Sequence, residues 1–287
     1  MASRCSIFGR KGLKVEERAP DKAERTVAAA MLLFNQEPIF DVSNVDRSIQ
    51  ARFAGTPFYS GKQGDAHVWD GNPTSVLQVG GIPVMVSLIR FPVPLGVFVD
   101  NPHQEFAFPG WKEVAANHRC HMLISGLSID HIPVDGGPAE RLRLRARMAI
   151  EVAAALAVSH RPACAAWLPA QMLTSTPNFI SDFREAGAPV SPRPLVGLDR
   201  INTASGIVTR TRGVALFAGR EVEHPPTQDD QRTVLRRVMQ LAKWLIDRGP
   251  VVGDGDVIGN DEPYFVRAYY ARSEGVDLLR IGFEARH

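Results

Sequence analysis

His118, Cys120 and His121 form the densest set of potential metal-binding or proton-transfer groups in the chain. Zinc takes a tetrahedral set of nitrogen and sulfur donors, usually supplied as spaced pairs. On a strand, His118 and Cys120 share one face while His121 points to the other. That alternation keeps the three from meeting one ion without distortion. The expectation is therefore structural: no metal, with the imidazoles bonding loop carbonyls where the strand begins. Farther on, Asp254, Asp256, Asn260, Asp261 and Glu262 offer oxygen donors for a cation. A calcium loop of the EF-hand kind needs donors at alternate positions, a glycine at its sixth and a glutamate at its twelfth. Val257 and Ile258 interrupt that spacing, and Asp-Gly is a turn signal ahead of a strand. A turn is expected there, with a cation site as the alternative.

Other catalytic signatures are missing from the sequence. There is no Gly-x-Ser-x-Gly, no Walker motif, and no Gly-x-Gly-x-x-Gly opening a helix after a strand. Ser125 is followed by one glycine only, and His160 and His224 could reach a nucleophile in space, as could any of the eight histidines. No catalytic residue and no cofactor is assigned. Arg141, Arg143, Arg145 and Arg147 invite a phosphate site. At helical spacing they split into two i,i+4 pairs on different faces, without the interleaved aromatics of a base-stacking platform. They read as a solvated helix start partly paired with Glu140 and Glu151, or else as a surface for an acidic protein.

Of the four tryptophans, Trp111, Trp167 and Trp244 read as core or rim anchors. Trp69 stands in a polar Gly/Asp segment (GDAHVWDGNP), where an aromatic without apolar neighbours can serve binding, though packing onto its own domain competes with that reading. Residues 61–73 and 91–102 flank one predicted hairpin and leave the same end of the sheet. Trp69, Asp70, Phe91 and Phe98 are thus the expected binding residues, three aromatics inside a rim of Asp65, Asp70 and Asp100.

These residues need a scaffold, and the composition supplies an ordinary globular one. The 287 residues are 45% hydrophobic and 22% charged, enough to bury a sizeable core without a disulfide or metal staple. A net charge of +2 makes nucleic acid an improbable partner. Three well-separated cysteines and a polar first 25 residues without a signal-type apolar core point to a reducing cytoplasm. Residues 76–99 are long and apolar enough to cross a bilayer. Repeated Pro and Gly, and Arg90 at a cost of roughly 2.5–3.5 kcal/mol in a span, argue against it. A hairpin over residues 75–79 and 84–89 around Gly80-Gly81 is expected instead.

Periodicity places strands at 27–34, 120–127, 163–168, 195–201, 214–218, 264–271 and 276–283. Residues 207–209 are placed at the start of the 214–218 strand. Helices are placed at 43–53, 109–117, 139–159, 177–186 and 227–248, and residues 56–73 form a loop. The fold class is α+β, with mixed or antiparallel sheets and helices packed on one face. Residues 1–26 form a flexible lead-in. Residues 27–135 and 136–287 are two halves, each read as β-α-β-β-α-β, packed as one compact unit.

The segments MLLFNQEPIFD from Met31, HRCHMLISGL from His118 and LAKWLIDRGPVVGDGDVIGNDEPYFVRAYY from Leu241 resemble a bacterial family, domain of unknown function 4261. The resemblance rests on an apolar first strand, His118 and His121, and the turn of Gly253, Asp254, Gly255, Asp256, Ile258 and Gly259. It spans most of the chain beyond Thr26. It implies a globular chain associated with bacterial accessory proteins, and it carries over no catalytic residue.

The expected function is a non-enzymatic protein-binding module, of bacterial immunity or accessory type, that occludes a protein partner. The alternative is a hydrolase of unfamiliar type using His118/His121 or Asp254/Asp256.

Overall fold

The computed structural model describes residues 28–54, 56, 65–69, 71–98, 100, 102–127, 137–261 and 264–285. The expected N-terminal lead-in lies outside them. No helix among the described residues is long and apolar enough to cross a membrane.

A first sheet is built from β1 (Ala29–Phe34), β2 (Asp65–Trp69), β3 (Asn72–Val79), β4 (Ile82–Ile89), β5 (Cys120–Gly126), β6 (Cys164–Trp167) and β7 (Met172–Ser175), in the order β2-β3-β4-β5-β1-β6-β7. Every pairing in it is antiparallel. The apolar stretch at 76–99 is the β3–β4 hairpin and its exit loop. Gly80 and Gly81 have φ of 59° and 78°, which a two-residue hairpin turn demands of both central positions.

The second sheet contains β8 (Gly197–Thr203), β9 (Gly206–Arg212), β10 (Glu221–His224), β11 (Val257–Asp261), β12 (Tyr264–Ser273) and β13 (Val276–Ala285). Its order is β11-β12-β13-β10-β9-β8, antiparallel except where β10 runs parallel to β13. The fold is α+β with one mixed and one antiparallel sheet. The division between sheets falls after β7, not at residue 135, because β6 and β7 close the first sheet. Two equal β-α-β-β-α-β halves do not describe this connectivity.

Helices α1 (Val42–Phe53), α4 (Gly137–His160), α5 (Thr176–Asp182), α6 (Ala215–Ala218) and α7 (Gln231–Arg248) share one continuous core with both sheets. Residues 148–157 of α4 are buried on every side, as expected of a helix apolar all round. Its close approach to β5 needs Gly126, where a Cβ would fall 2.5 Å from the Arg145 carbonyl oxygen. The packing is not one-sided. Short helices α2 (Pro102–Ala107) and α3 (Trp111–Ala116) lie near the other face of the first sheet, and Trp111 and Ala115 of α3 enclose a second core with Met31, Leu33 and Leu173.

Three further elements depart from expectation. Residues 65–69 are an edge strand, not loop: they pair antiparallel with β3, from Asp65 opposite Val76 to Trp69 opposite Asn72. The expected strand at 214–218 is α6, between left-handed glycines Gly213 and Gly219. An apolar run of five residues fits either structure. Here the Glu221 carboxylate selects the helix by accepting the amides of Gly213, Val214 and Ala215 at 2.8, 3.1 and 3.1 Å. Residues 207–209 belong to a separate strand, β9, which is complete before α6 begins.

Candidate binding trough

The residues singled out for chemistry are mostly engaged with the backbone. His118 precedes β5, and both its nitrogens are used: Nδ1 donates to the Ala115 carbonyl and Nε2 accepts the Val93 amide at 2.7 Å. His121 Nδ1 donates to the Phe91 carbonyl at 3.0 Å, and burial pushes its pKa down to about 4. The imidazoles thus tie loops to the strand, as expected. Cys120 lies in the main core, with its thiol pKa raised by burial, and the Cys164 thiol is pushed up to about 12 by the same cause. Neither is a poised nucleophile. Among the described residues, no group of three or more His, Cys, Asp or Glu could hold a metal.

Asp254 and Asp256 shape the turn that carries them. Asp254 Oδ1 accepts the Tyr270 amide at 2.7 Å and Asp256 Oδ2 accepts the Gly253 amide at 2.6 Å. The arginine run on α4 is less solvated than expected. Arg143 pairs with Glu140 at 2.5 Å, while Arg145 and Arg147 donate to the carbonyls of Gly126 and Ala188. Glu151 instead holds Arg52 of α1. His160 contacts the hydroxyl of Ser159, whose own proton is directed at helix carbonyls, and His224 is buried against Phe283.

The expected aromatic patch is only partly assembled. Phe91 is 60% exposed and meets the His121 ring edge-on. Phe98 is 4% exposed and packs into the second core, so it belongs to the scaffold beneath the loop. The side chains of Trp69 and Asp70 lie outside the described residues. Asp100 is spent on Lys112 at 2.6 Å.

A larger feature lies in the second sheet. Six strands at about 4.8 Å spacing make a surface roughly 24 Å wide, and a helix with side chains covers about 10–12 Å of it. Helix α7 packs over β10 and β9. The segment after α7 crosses β12 and buries Val252 and Ala268, and between that segment, α7 and β11 a trough of about 1060 Å³ remains. Its apolar lining includes Leu241, Val252, Ile258, Val266 and Ile281. Val251 and Val257, 50% and 52% exposed, stand at its outer rim.

The near wall is a second stripe of α7. Val234, Val238, Leu241 and Leu245 face the core, whereas Arg237, Leu241, Trp244 and Arg248 recur at i, i+4, i+7 and i+11 along the trough. Trp244 is half-buried, with the Arg248 guanidinium 5.8 Å from its ring. Arg237 is held by Asp229 at 2.5 Å and lies 4.9 Å over Phe283. Arg236 and Arg248 are exposed and make no ion pair among the described residues. Among the described residues, Asp256 is the one carboxylate lining the trough, already turned to the Gly253 amide. The surface is thus apolar at its base and positive at its rim.

The described residues of the opposite face form a charged and polar surface. A row of paired residues crosses it from Asp199 through Arg210, Glu223 and Arg280 to Tyr269. Glu223 accepts from Arg210 at 2.8 Å and from Arg280 at 2.7 Å, so its charge is internally balanced.

Sequence reasoning missed the trough, although one signal was present: Trp244 lies off the row of core residues on α7. No protein-family model, curated protein or solved structure matches the chain.

Proposed function

We propose that this chain is a non-enzymatic protein-binding module, of the immunity or accessory type, that works by occluding its partner. Its docking surface is the trough between α7 and β11–β12. The trough carries this reading, with Ile258, Val266 and Trp244 half-buried along it and Val251 and Val257 exposed beside them. A soluble fold rarely leaves such a surface open unless something covers it, and an aromatic anchor beside arginines is the composition of an interface hot spot. The engagement of His118, His121, Asp254 and Asp256 with backbone groups supports binding over hydrolysis, because those bonds would have to break before these side chains could serve a substrate.

Photo-cross-linking from the native cell tests this. A benzoylphenylalanine at Gln240, which is exposed and lines the trough, should give one dominant protein adduct. That adduct should disappear when Arg236→Glu and Arg248→Glu are added. The same group at exposed Arg200 on β8 is the control. Equal labelling from both positions, or none from Gln240, would sink the proposal.

A further inference from the structure

We infer that the occupant of the trough is an amphipathic helix of the partner, acidic near both ends and apolar along one face. This inference rests on the protein-binding reading above and names the chemistry of what binds. Width is the first argument. The trough of about 1060 Å³ runs beside the α7 stripe and has room for the apolar face of one helix, about 10 Å across. An extended segment would leave much of the trough's apolar lining wet. The second argument is length. Arg236 and Arg248 are twelve positions apart (248 − 236), or about 18 Å along the α7 axis, and three to four turns of helix span that distance.

Charge gives the third argument and sets the polarity pattern. The arginines stand at the two ends of the near wall, with Leu241 and Trp244 between them. A helix lying alongside would bring carboxylates to Arg236 at one end and Arg248 at the other, and apolar side chains to the middle. Its acidic ends would meet two guanidiniums that have no ion pair among the described residues. The chain's own residues 1–27 do not suit this role, since they hold seven Lys/Arg against four Asp/Glu and would repel the rim.

The test uses the full chain and a labelled synthetic peptide of about 14 residues, long enough for four turns. It has Leu at i, i+3, i+4 and i+7 and Glu near both ends. Fluorescence anisotropy should show saturable one-to-one binding, with quenching of Trp244 emission. Arg236→Glu with Arg248→Glu should weaken binding about tenfold or more, the scale expected for reversing two rim charges. Both positions are exposed, and Arg248 lies in the last turn of α7, where a carboxylate opposes the helix dipole, so the variant's melting temperature should fall only slightly. Two control peptides carry Lys in place of Glu, or a central Pro that breaks the helix, and both should fail. Equal binding by either control overturns the inference, as does tighter binding of a dodecameric oligodeoxythymidylate. Concentration-dependent dimerisation that blocks the peptide overturns it too, by making a second copy the occupant. If the peptide fails while the Gln240 cross-link persists, the acidic helix is wrong and the protein-binding reading stands. If both fail, both fall.

Discussion

Arg52 on α1 reaches Glu151 on α4 at 2.5 Å, and both side chains are more than nine-tenths buried. The other Glu151 oxygen accepts the Gly187 amide at 3.1 Å, so one carboxylate fastens α1 and the loop after α5 to the central helix. Removing one partner leaves a charge stranded in the core. Glu151→Ala should cost about 3–5 kcal/mol in denaturant unfolding, whereas Arg52→Met with Glu151→Leu together should cost far less. Equal losses for the single and double variants would show that the pair itself, not the stranded charge, stabilises the fold.

The buried imidazole of His121 predicts a pH dependence. Its pKa lies near 4 in the folded protein against about 6.5 in the unfolded chain, because burial disfavours the charged ring. The unfolded state therefore binds the extra proton between these values. Stability is full above pH 6.5 and falls as the pH drops towards 4, by about 3 kcal/mol from this residue. His121→Gln can keep a donor for the Phe91 carbonyl and cannot titrate, so its stability curve should be flatter over that window. His103, His160 and His224 are also lowered by burial and should leave a residual slope. Parallel curves for wild type and variant would refute the assignment.

How much of this was legible depends on whether an element reports its surroundings through its own residues. The core row of α7, the Gly80-Gly81 hairpin and the β12–β13 pair did so, because one face of each is apolar at a regular period. β10 did not. Glu221, Val222, Glu223 and His224 carry no apolar period, yet all four are buried. Two carboxylates survive there because Thr211 and backbone amides satisfy one while Arg210 and Arg280 satisfy the other. Such partners are distant in sequence and leave no local pattern. The trough was hidden for the same reason: it exists because α7 lies over β10 and β9, which α7's own sequence does not state. Phe98 failed in the opposite sense, since its Pro-rich segment reads as surface but wraps back over Trp111.

The turn at Asp254–Asp256 should respond to mutation as a structural device. Asp254→Ala removes the acceptor of the Tyr270 amide and Asp256→Ala that of the Gly253 amide. Each should cost about 1–2 kcal/mol, the scale of one charge-assisted hydrogen bond. Millimolar calcium should leave the melting temperature of the wild type unchanged. A calcium-dependent rise that both variants abolish would make this a cation site instead.

The last prediction separates a scaffold tryptophan from a binding one. Trp167 is 1% exposed on β6, with its ring stacked 6.4 Å from Phe217, and it links the first sheet to α6. Truncating it leaves a cavity on both sides, so Trp167→Ala should lose about 3–5 kcal/mol. Trp244 is half-buried at the trough wall, packed against the edge of the core. Trp244→Ala should therefore lose only about 1–2 kcal/mol of folding stability, in proportion to the smaller apolar area it hides. Its larger effect should be on the partner, where an anchoring aromatic is worth about 2 kcal/mol or more. Thermal melting beside quantitative cross-linking from Gln240 distinguishes the two positions. If Trp244→Ala instead collapses the melting temperature as far as Trp167→Ala and leaves the adduct yield intact, Trp244 is a core residue and the trough has no aromatic anchor.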